Sequence, residues 1–339
     1  MSDINFLLRT YCATFNHENY ILDALKGFVM QQTNFPFVCT IVDDASTDRT
    51  AAAIKQFVSE NFDLDADSVG YEKDTEYGHV TFARHKTNKN CYFAVVYLNE
   101  NHYSQHKTKV PYVKEWMNTK YVSFCEGDDY WTDKNRLQKM VDFLESHPDY
   151  VLVTHRISNY YEATGEMKDD KGSDVYYGNK KGISFGRYYN RFIYWQTQTL
   201  RTMYRMETFQ KATANCSLPL TDGILSFMVL KHGRGFGINE YMGTYRIHSG
   251  GVWSNMTNFE KQYGNLVLYR DYYHFENSLF AKLSYYAMYI DVYKRYPEEL
   301  KKREPLKSSI VLFNVVYAPF LYAKRKWFKI KRKLLRKTK

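Results

Sequence analysis

Over its first 150 residues the chain alternates short apolar runs, each ending in a polar cluster, with helical patterns, and this alternation constrains the fold more than any other feature. The runs are Phe6 to Thr14, Phe37 to Val42 before Asp43 and Asp44, Tyr92 to Leu98, and Tyr121 to Cys125 before Glu126, Asp128 and Asp129. Between them Tyr20, Ile21, Ala24, Leu25 and Phe28 share one helical face, and Ser46 or Thr47 is placed to cap a helix through Ala51, Ile54 and Val58. Strands alternating with helices predict an α/β fold with a mostly parallel sheet flanked by helices. Ligands of such sheets bind outside the carboxyl ends of the strands, where these polar clusters fall.

Further along, Phe62 to Asn90 reads as an inserted loop or hairpin, and Tyr150 opens another strand. Tyr176 to Phe185 suggests a hairpin around Gly178 and Gly182, and Tyr194 to Tyr204 a strand. Helices are expected near Glu207 to Asn215 and from Asp222 to Gly233, and from Asn258 onward the pattern is helical, broken at Pro297 and Pro305. The expected domains are residues 1–255 and a helical C-terminal region, 256–339.

The net charge of +10 invites a nucleic-acid reading until it is located. Ten of the 47 Lys and Arg lie between Lys324 and Lys339, leaving 37 to face 37 acidic residues in a neutral body. No continuous basic face is expected there, and so no nucleic acid. The basic tail, with Trp327, Phe328, Ile330, Leu334 and Leu335, reads as an interfacial helix drawn to an anionic membrane surface. Five cysteines without a CxxC pair or a secretory leader predict reduced thiols in the cytosol. The longest apolar run, Ile310 to Ala323, holds Asn314 and Pro319, which argues against a membrane span.

Four constellations carry candidate chemistry. At the end of the first strand, Thr14, Phe15 and Asn16 either bind a nucleobase by stacking and hydrogen bonding or form an ordinary strand-to-helix turn. Asp43 and Asp44, followed by Ser46, accept hydrogen bonds from a base or ribose, or cap the next helix. Glu126, Asp128 and Asp129 crowd three acidic groups into four residues, a hard-oxygen set that favours Mg²⁺ or Mn²⁺ shared with a substrate diphosphate. Asp222 is a helix cap or a base for an attacking hydroxyl, while Arg246 and His248 meet phosphate or metal, or decorate a strand end.

Taken in order, ATFNHENYILDAL, VDDASTD, CEGDDYWTDKNRLQ, TDGIL and NEYMGTYRIHSGGVWS resemble a family 2 glycosyltransferase of the GT-A fold over roughly residues 4–255. The resemblance implies a Rossmann-like sheet and an inverting enzyme that uses a nucleotide-diphosphate sugar, with UDP-sugars foremost, and a divalent cation, Mn²⁺ or Mg²⁺. It implies donor-binding roles for Thr14, Phe15, Asn16, Asp44, Asn101, Lys107 and Asp128, with Ser104 in the same stretch as Asn101. Asp129, Asp128 and His248 become metal ligands, with Asp129 in direct contact, and Asp222 the catalytic base. Phe15 stands where Tyr is usual, Glu126 where Asp is more common, and Thr221 where Gly or Glu precedes the base. Trp195, Gln196 and Arg246 are acceptor-side candidates. A saccharide or lipid-linked acceptor, in cell-surface polysaccharide or lipopolysaccharide synthesis at the inner face of the membrane, would give the basic tail a use. The rival readings are a metal-dependent nucleotidyltransferase, which needs a Gly-rich phosphate loop not visible here, and a nucleic-acid-binding protein using the tail.

Overall fold

The computed structural model describes residues 4–65, 69–170, 177, 198–214, 216, 221–304, 308, 310 and 312. The chain divides into two compact units, Met1–His248 and Ser249–Lys339.

The first unit is built on a twelve-stranded sheet. Its strands are β1 (Leu8–Thr14), β2 (Phe37–Asp43), β3 (Phe62–Asp63), β4 (Tyr71–Thr75), β5 (Gly78–His85) and β6 (Cys91–Leu98). There follow β7 (Tyr121–Phe124), β8 (Tyr130–Trp131), β9 (Tyr150–Tyr161), β10 (Glu166–Asp169), β11 (Thr202–Arg205) and β12 (Arg234–Ile247). The order is β3-β5-β6-β2-β1-β7-β11-β9-β12-β8, with β4 paired to β5 and β10 to β9. β6, β2, β1 and β7 are parallel, and β12 is parallel to β9.

Strands β2 and β6 contain no exposed residue, because their side chains face packed layers on both sides of the sheet. Cys39 and Ile41 join one layer with Ile21, Ala24, Leu25 and Phe28 of α1 (Ile21–Val29) and Ile54 and Val58 of α2 (Thr50–Asn61). Val38 and Val42, of opposite parity, join Val80, Phe82, Val96 and Trp116 on the other face. The segment expected as an inserted loop or hairpin is a β4–β5 hairpin whose second strand pairs antiparallel with β6 and extends the sheet. The start of α2 also differs from expectation. Asp48 Oδ1 accepts the Thr50 N–H at 2.9 Å, while the Ser46 hydroxyl is taken up by Asp43.

Of the expected strand from Tyr194 to Tyr204, the described residues form a 3₁₀ turn at Thr199–Arg201 followed by β11. Trp195 and Gln196, and the expected hairpin at Tyr176 to Phe185 apart from Tyr177, lie outside the described residues. Helices α3 (Arg136–Ser146), α4 (Met206–Thr213) and α5 (Asp222–Leu230) also belong to this unit.

In the second unit α6 (Asn258–Glu276) begins with a reciprocal Thr257/Glu260 capping box and stops at Asn277, whose φ of 48° ends the helix. Ser278 caps α7 (Leu279–Arg295). Pro297 starts α8 (Pro297–Arg303) rather than merely interrupting a helix, since its missing N–H is not needed in a first turn. Glu304 then accepts hydrogen bonds from Arg270, Tyr263 and Tyr285, tying the three helices together. Among the described residues no helix is long and apolar enough to cross a membrane. The basic segment Lys324 to Lys339 lies outside them.

Candidate active site

Because β11 is antiparallel to both β7 and β9, the carboxyl ends of β1, β2, β7, β9 and β12 open on one edge of the sheet. The sequence places polar residues at each of these ends, and the topology gathers them. Gly127 lets the Glu126–Asp129 loop lie against the end of β1. A Cβ on it would stand 2.6 Å from Thr14 Oγ1 and 3.0 Å from His17 Nδ1.

In that loop the two adjacent aspartates divide their tasks. Asp129 is buried, and its Oδ1 accepts the Arg246 N–H at 2.9 Å, so it faces the β12 backbone rather than the cleft. Burial, with the charges of Asp128 and Glu126, raises its carboxyl well above the ordinary range. Asp128 keeps some exposure and places Oδ2 3.2 Å from His248 Nε2 and 3.7 Å from His17 Nε2. Burial opposes its ionisation, but the His248 hydrogen bond and the nearby His17 outweigh that and hold its carboxyl below the ordinary range. Arg246 is a clamp: Nε donates to the Asp128 carbonyl and Nη2 to Asp23 Oδ2 at 2.6 Å, and its guanidinium lies over Tyr20, Tyr130 and Tyr160. Those bonds engage it within the protein rather than at an acceptor.

The donor-side residues are tied to one another. Asn16, at φ 55°, accepts the Thr47 N–H at 2.8 Å and donates its own N–H to Ser46 Oγ, while Phe15 stands exposed beside it. Asp44 is buried, receives the backbone N–H groups of His102 and Tyr103 at 2.8 and 3.0 Å, and pairs with Lys109 at 2.9 Å. Asn101 donates to the Asp44 carbonyl and accepts from the Ser104 N–H. Asp44 and Asn101 therefore pin the 101–109 loop over the end of β2. Lys107 is exposed and turns to Glu100.

On the other side, Asp222 opens α5. The Thr199 hydroxyl donates to Glu126 Oε1 at 3.1 Å. Burial raises the Asp222 carboxyl to about 6, against the Thr199 hydrogen bonds and the Arg201 charge. Burial and the charges of Asp222 and Asp128 raise Glu126 to about 7. Tyr245, its phenol pushed up by burial and by Asp129, Asp128, Asp222 and Glu126, stands among all four carboxylates.

Asp128, His248, Glu126 and Asp222 thus meet around one cleft, whereas Asp129 and Arg246 serve as its framework. Sequence reasoning assigned no role to His17 or Lys109, and reached Thr199 only as the end of the acceptor-side stretch from Trp195 to Thr199. Only His17 carries a local signal, three residues after Thr14, whose hydroxyl lies 3.2 Å from its Nδ1. Among the described residues no three His, Cys, Asp or Glu side chains converge as a complete metal cage. Asp128 and His248 form a two-donor pair, and the His248 Nδ1 is buried without a partner, so no second hydrogen bond fixes the ring's tautomer. Such a pair fits a hard cation that takes its remaining ligands from a diphosphate.

Residues 12–105 match the family model described as Glycosyl transferase family 2. The uncharacterized protein Rv1520 of Mycobacterium tuberculosis is 29% identical over 243 residues, covering 71% of this chain, which spans only 58% of that relative's length. In fold, the chain is similar to S. aureus TarS, residues 1–349, in complex with UDP-GlcNAc, with a TM-score of 0.51, 14% identity, and coverage of 79% of this chain and 67% of that one. It is also similar to the mannosyltransferase PcManGT from Pyrobaculum calidifontis in complex with GDP-Man and Mn²⁺, at TM-score 0.51, 12% identity, and coverage of 98% and 86%. The chain has the mixed α/β architecture of GT-A glycosyltransferases, and its resemblance to glycosyltransferase family 2 holds over the segment that builds the β1, β2 and β6 end of the site.

Proposed function

We propose that this chain is an inverting glycosyltransferase that moves a sugar from a UDP-sugar to a hydroxyl of a saccharide or lipid-linked acceptor, in cell-surface polysaccharide or lipopolysaccharide synthesis. The observation that carries the reading is the gathering, at one edge of the sheet, of Asp222, a partly exposed carboxylate at the start of α5, with the Glu126–Asp128 loop and His248. The family model over residues 12–105 and the nucleotide sugars bound by the two similar structures support the donor class.

Asp222 removes the acceptor proton as the hydroxyl attacks the anomeric carbon opposite the departing diphosphate. With its carboxyl raised to about 6 it is ionised at neutral pH and still basic enough to accept that proton. Phe15 offers an exposed ring for the base, and Asp44 anchors the neighbouring loop at the end of β2. Asp128 and His248 would hold the divalent cation, Mn²⁺ or Mg²⁺, with Asp129 fixing the loop behind them. When bound, that cation stabilises negative charge developing on the diphosphate. The basic segment Lys324 to Lys339 brings the enzyme to the anionic inner face of the membrane, where a lipid-linked acceptor resides.

The test is a panel of UDP- and GDP-sugars incubated with the full chain and Mn²⁺, read by released nucleoside diphosphate. Release from a UDP-sugar, lost in Asp222→Asn, is expected. Pyrophosphate release from a nucleoside triphosphate instead would overturn the reading in favour of a nucleotidyltransferase. Deleting residues 306–339 should abolish co-sedimentation with anionic vesicles, and undiminished sedimentation would refute the membrane role.

A further inference from the structure

His248 reaches the cleft without the hydrogen bond that ordinarily fixes such a ring. Its Nε2 faces Asp128 Oδ2 at 3.2 Å, while its Nδ1 is buried and has no partner. An imidazole that binds a cation ordinarily donates its other N–H to an acceptor, which sets both the tautomer and the plane of the ring. Here packing stands in that place. The Tyr20 ring lies against His248 with centroids 4.4 Å apart and planes inclined at 53°. His17 meets His248 edge-on, with centroids 6.3 Å apart.

Tyr20 is itself anchored. Its hydroxyl donates to Glu162 Oε2 at 2.8 Å, and the Glu162 N–H donates to the carbonyl of Ile247, the residue before His248, at 3.0 Å. Its ring lies 5.0 Å from the Arg246 guanidinium, which pairs with Asp23 at 2.6 Å. The spacing makes the arrangement possible. Tyr20 and Asp23, three residues apart where α1 starts, share one side of its first turn. Arg246 and His248, two apart where β12 ends, both reach that turn, as side chains of like parity do. Helical periodicity groups Tyr20 with Ile21, Ala24, Leu25 and Phe28, but those four are buried in the core, whereas Tyr20 is half-buried against His248 and Arg246.

We propose that Tyr20 is a positioning residue that fixes the His248 imidazole by packing, so that its Nε2 and the Asp128 carboxylate are directed together at the divalent cation. Because a neighbour's ring rather than a hydrogen bond sets the imidazole plane, the aromatic surface of Tyr20 carries the effect and its hydroxyl acts only by tethering that surface to Glu162. The inference rests on the transferase reading above, whose cation site it deepens, and adds to that site a residue that is not itself a ligand.

The experiment titrates Mn²⁺ into full-length protein in the presence of UDP, with free Mn²⁺ read by electron paramagnetic resonance. It compares wild type, Tyr20→Phe, Tyr20→Leu, His248→Ala and the Tyr20→Leu/His248→Ala double variant, with a thermal midpoint for each to show that it is folded. Tyr20→Leu should weaken Mn²⁺ binding about 10- to 100-fold. Tyr20→Phe keeps the ring and should stay within about threefold of wild type. In the His248→Ala background Tyr20→Leu should cost less than about threefold more, because no imidazole is left to orient. Should Tyr20→Leu not fold, Tyr20→Gln reads the same loss. Wild-type affinity in Tyr20→Leu, an equal loss in Tyr20→Phe, or the same loss with and without His248 would each overturn the proposal. A wild-type protein that binds no Mn²⁺ and releases no nucleoside diphosphate from any donor would overturn the transferase reading and, with it, this role. An active wild type that binds no Mn²⁺, or whose Mn²⁺ affinity ignores Tyr20→Leu, defeats the positioning role alone.

Discussion

Replacing Asp222 by Asn should make the enzyme more stable while disabling it, and the structure sets the size of the effect. The Asp222 carboxyl ionises near 6 in the folded chain against 3.8 for an ordinary aspartate, because burial penalises its charge. A difference of about two pKa units corresponds to about 3 kcal/mol against the charged form at pH 7. Asp222 retains some exposure, so solvent screening reduces this to roughly 1–2 kcal/mol. The sign follows from proton binding. The folded state holds this proton more tightly than the unfolded one, so the stabilising contribution is complete below about pH 4 and is lost as pH rises through about 6. Asparagine keeps the shape of the side chain and removes the charge at every pH. In the unit Met1–His248 each kcal/mol moves the midpoint by about 2–4 °C, so Asp222→Asn should melt several degrees above wild type at pH 7.5, with the gap closing toward pH 4. Scanning calorimetry at the two pH values checks this, alongside a loss of transfer on the order of 10²- to 10⁴-fold. A variant that melts at or below wild type at pH 7.5, or a gap that ignores pH, would refute the account of Asp222 as a strained, buried base.

Three further outcomes are expected. The logarithm of wild-type kcat/KM should rise with unit slope up to a pH of about 6 and then level, as Asp222 loses its proton; a flat acid limb would remove it as the base. Gly127→Ala would drive a methyl into Thr14 and His17, so UDP binding in the presence of Mn²⁺ should weaken more than tenfold by titration calorimetry, and unaltered affinity would show that the close approach has no bearing on the donor site. Arg136→Met removes donors to His155, Ser123 and Leu200 from the interior and should cost about 2–4 kcal/mol in urea unfolding, with an unchanged midpoint counting against a structural role for this arginine.

The strands that carry the cleft were legible because their apolar runs stop in polar residues and the parallel core puts those stops on one edge. β5 was not. Its core-facing side chains are interleaved with His79, Arg84 and His85 and preceded by the charged β4, so the run reads as a surface loop until β6 supplies a partner. The acidic loop was legible as a group but not residue by residue. Nothing local distinguishes Asp128 from Asp129, and the choice is made by the Arg246 N–H, 117 positions away, which takes Asp129 inward and leaves Asp128 to His248.

Thr199 marks a different limit. Its contact with Glu126 spans 73 positions and uses a hydroxyl that any sequence offers in quantity. Composition and spacing identify groups whose chemistry is rare, such as clustered carboxylates, and the burial of such groups then obliges the fold to supply ordinary donors around them. Asp222 and Asp128 raise the Glu126 carboxyl, and Asp128 and Glu126 raise that of Asp129, a charge that Thr199, Arg246, His17 and His248 answer. The rare groups could be found from sequence, and the common ones that orient them could be found only from the structure.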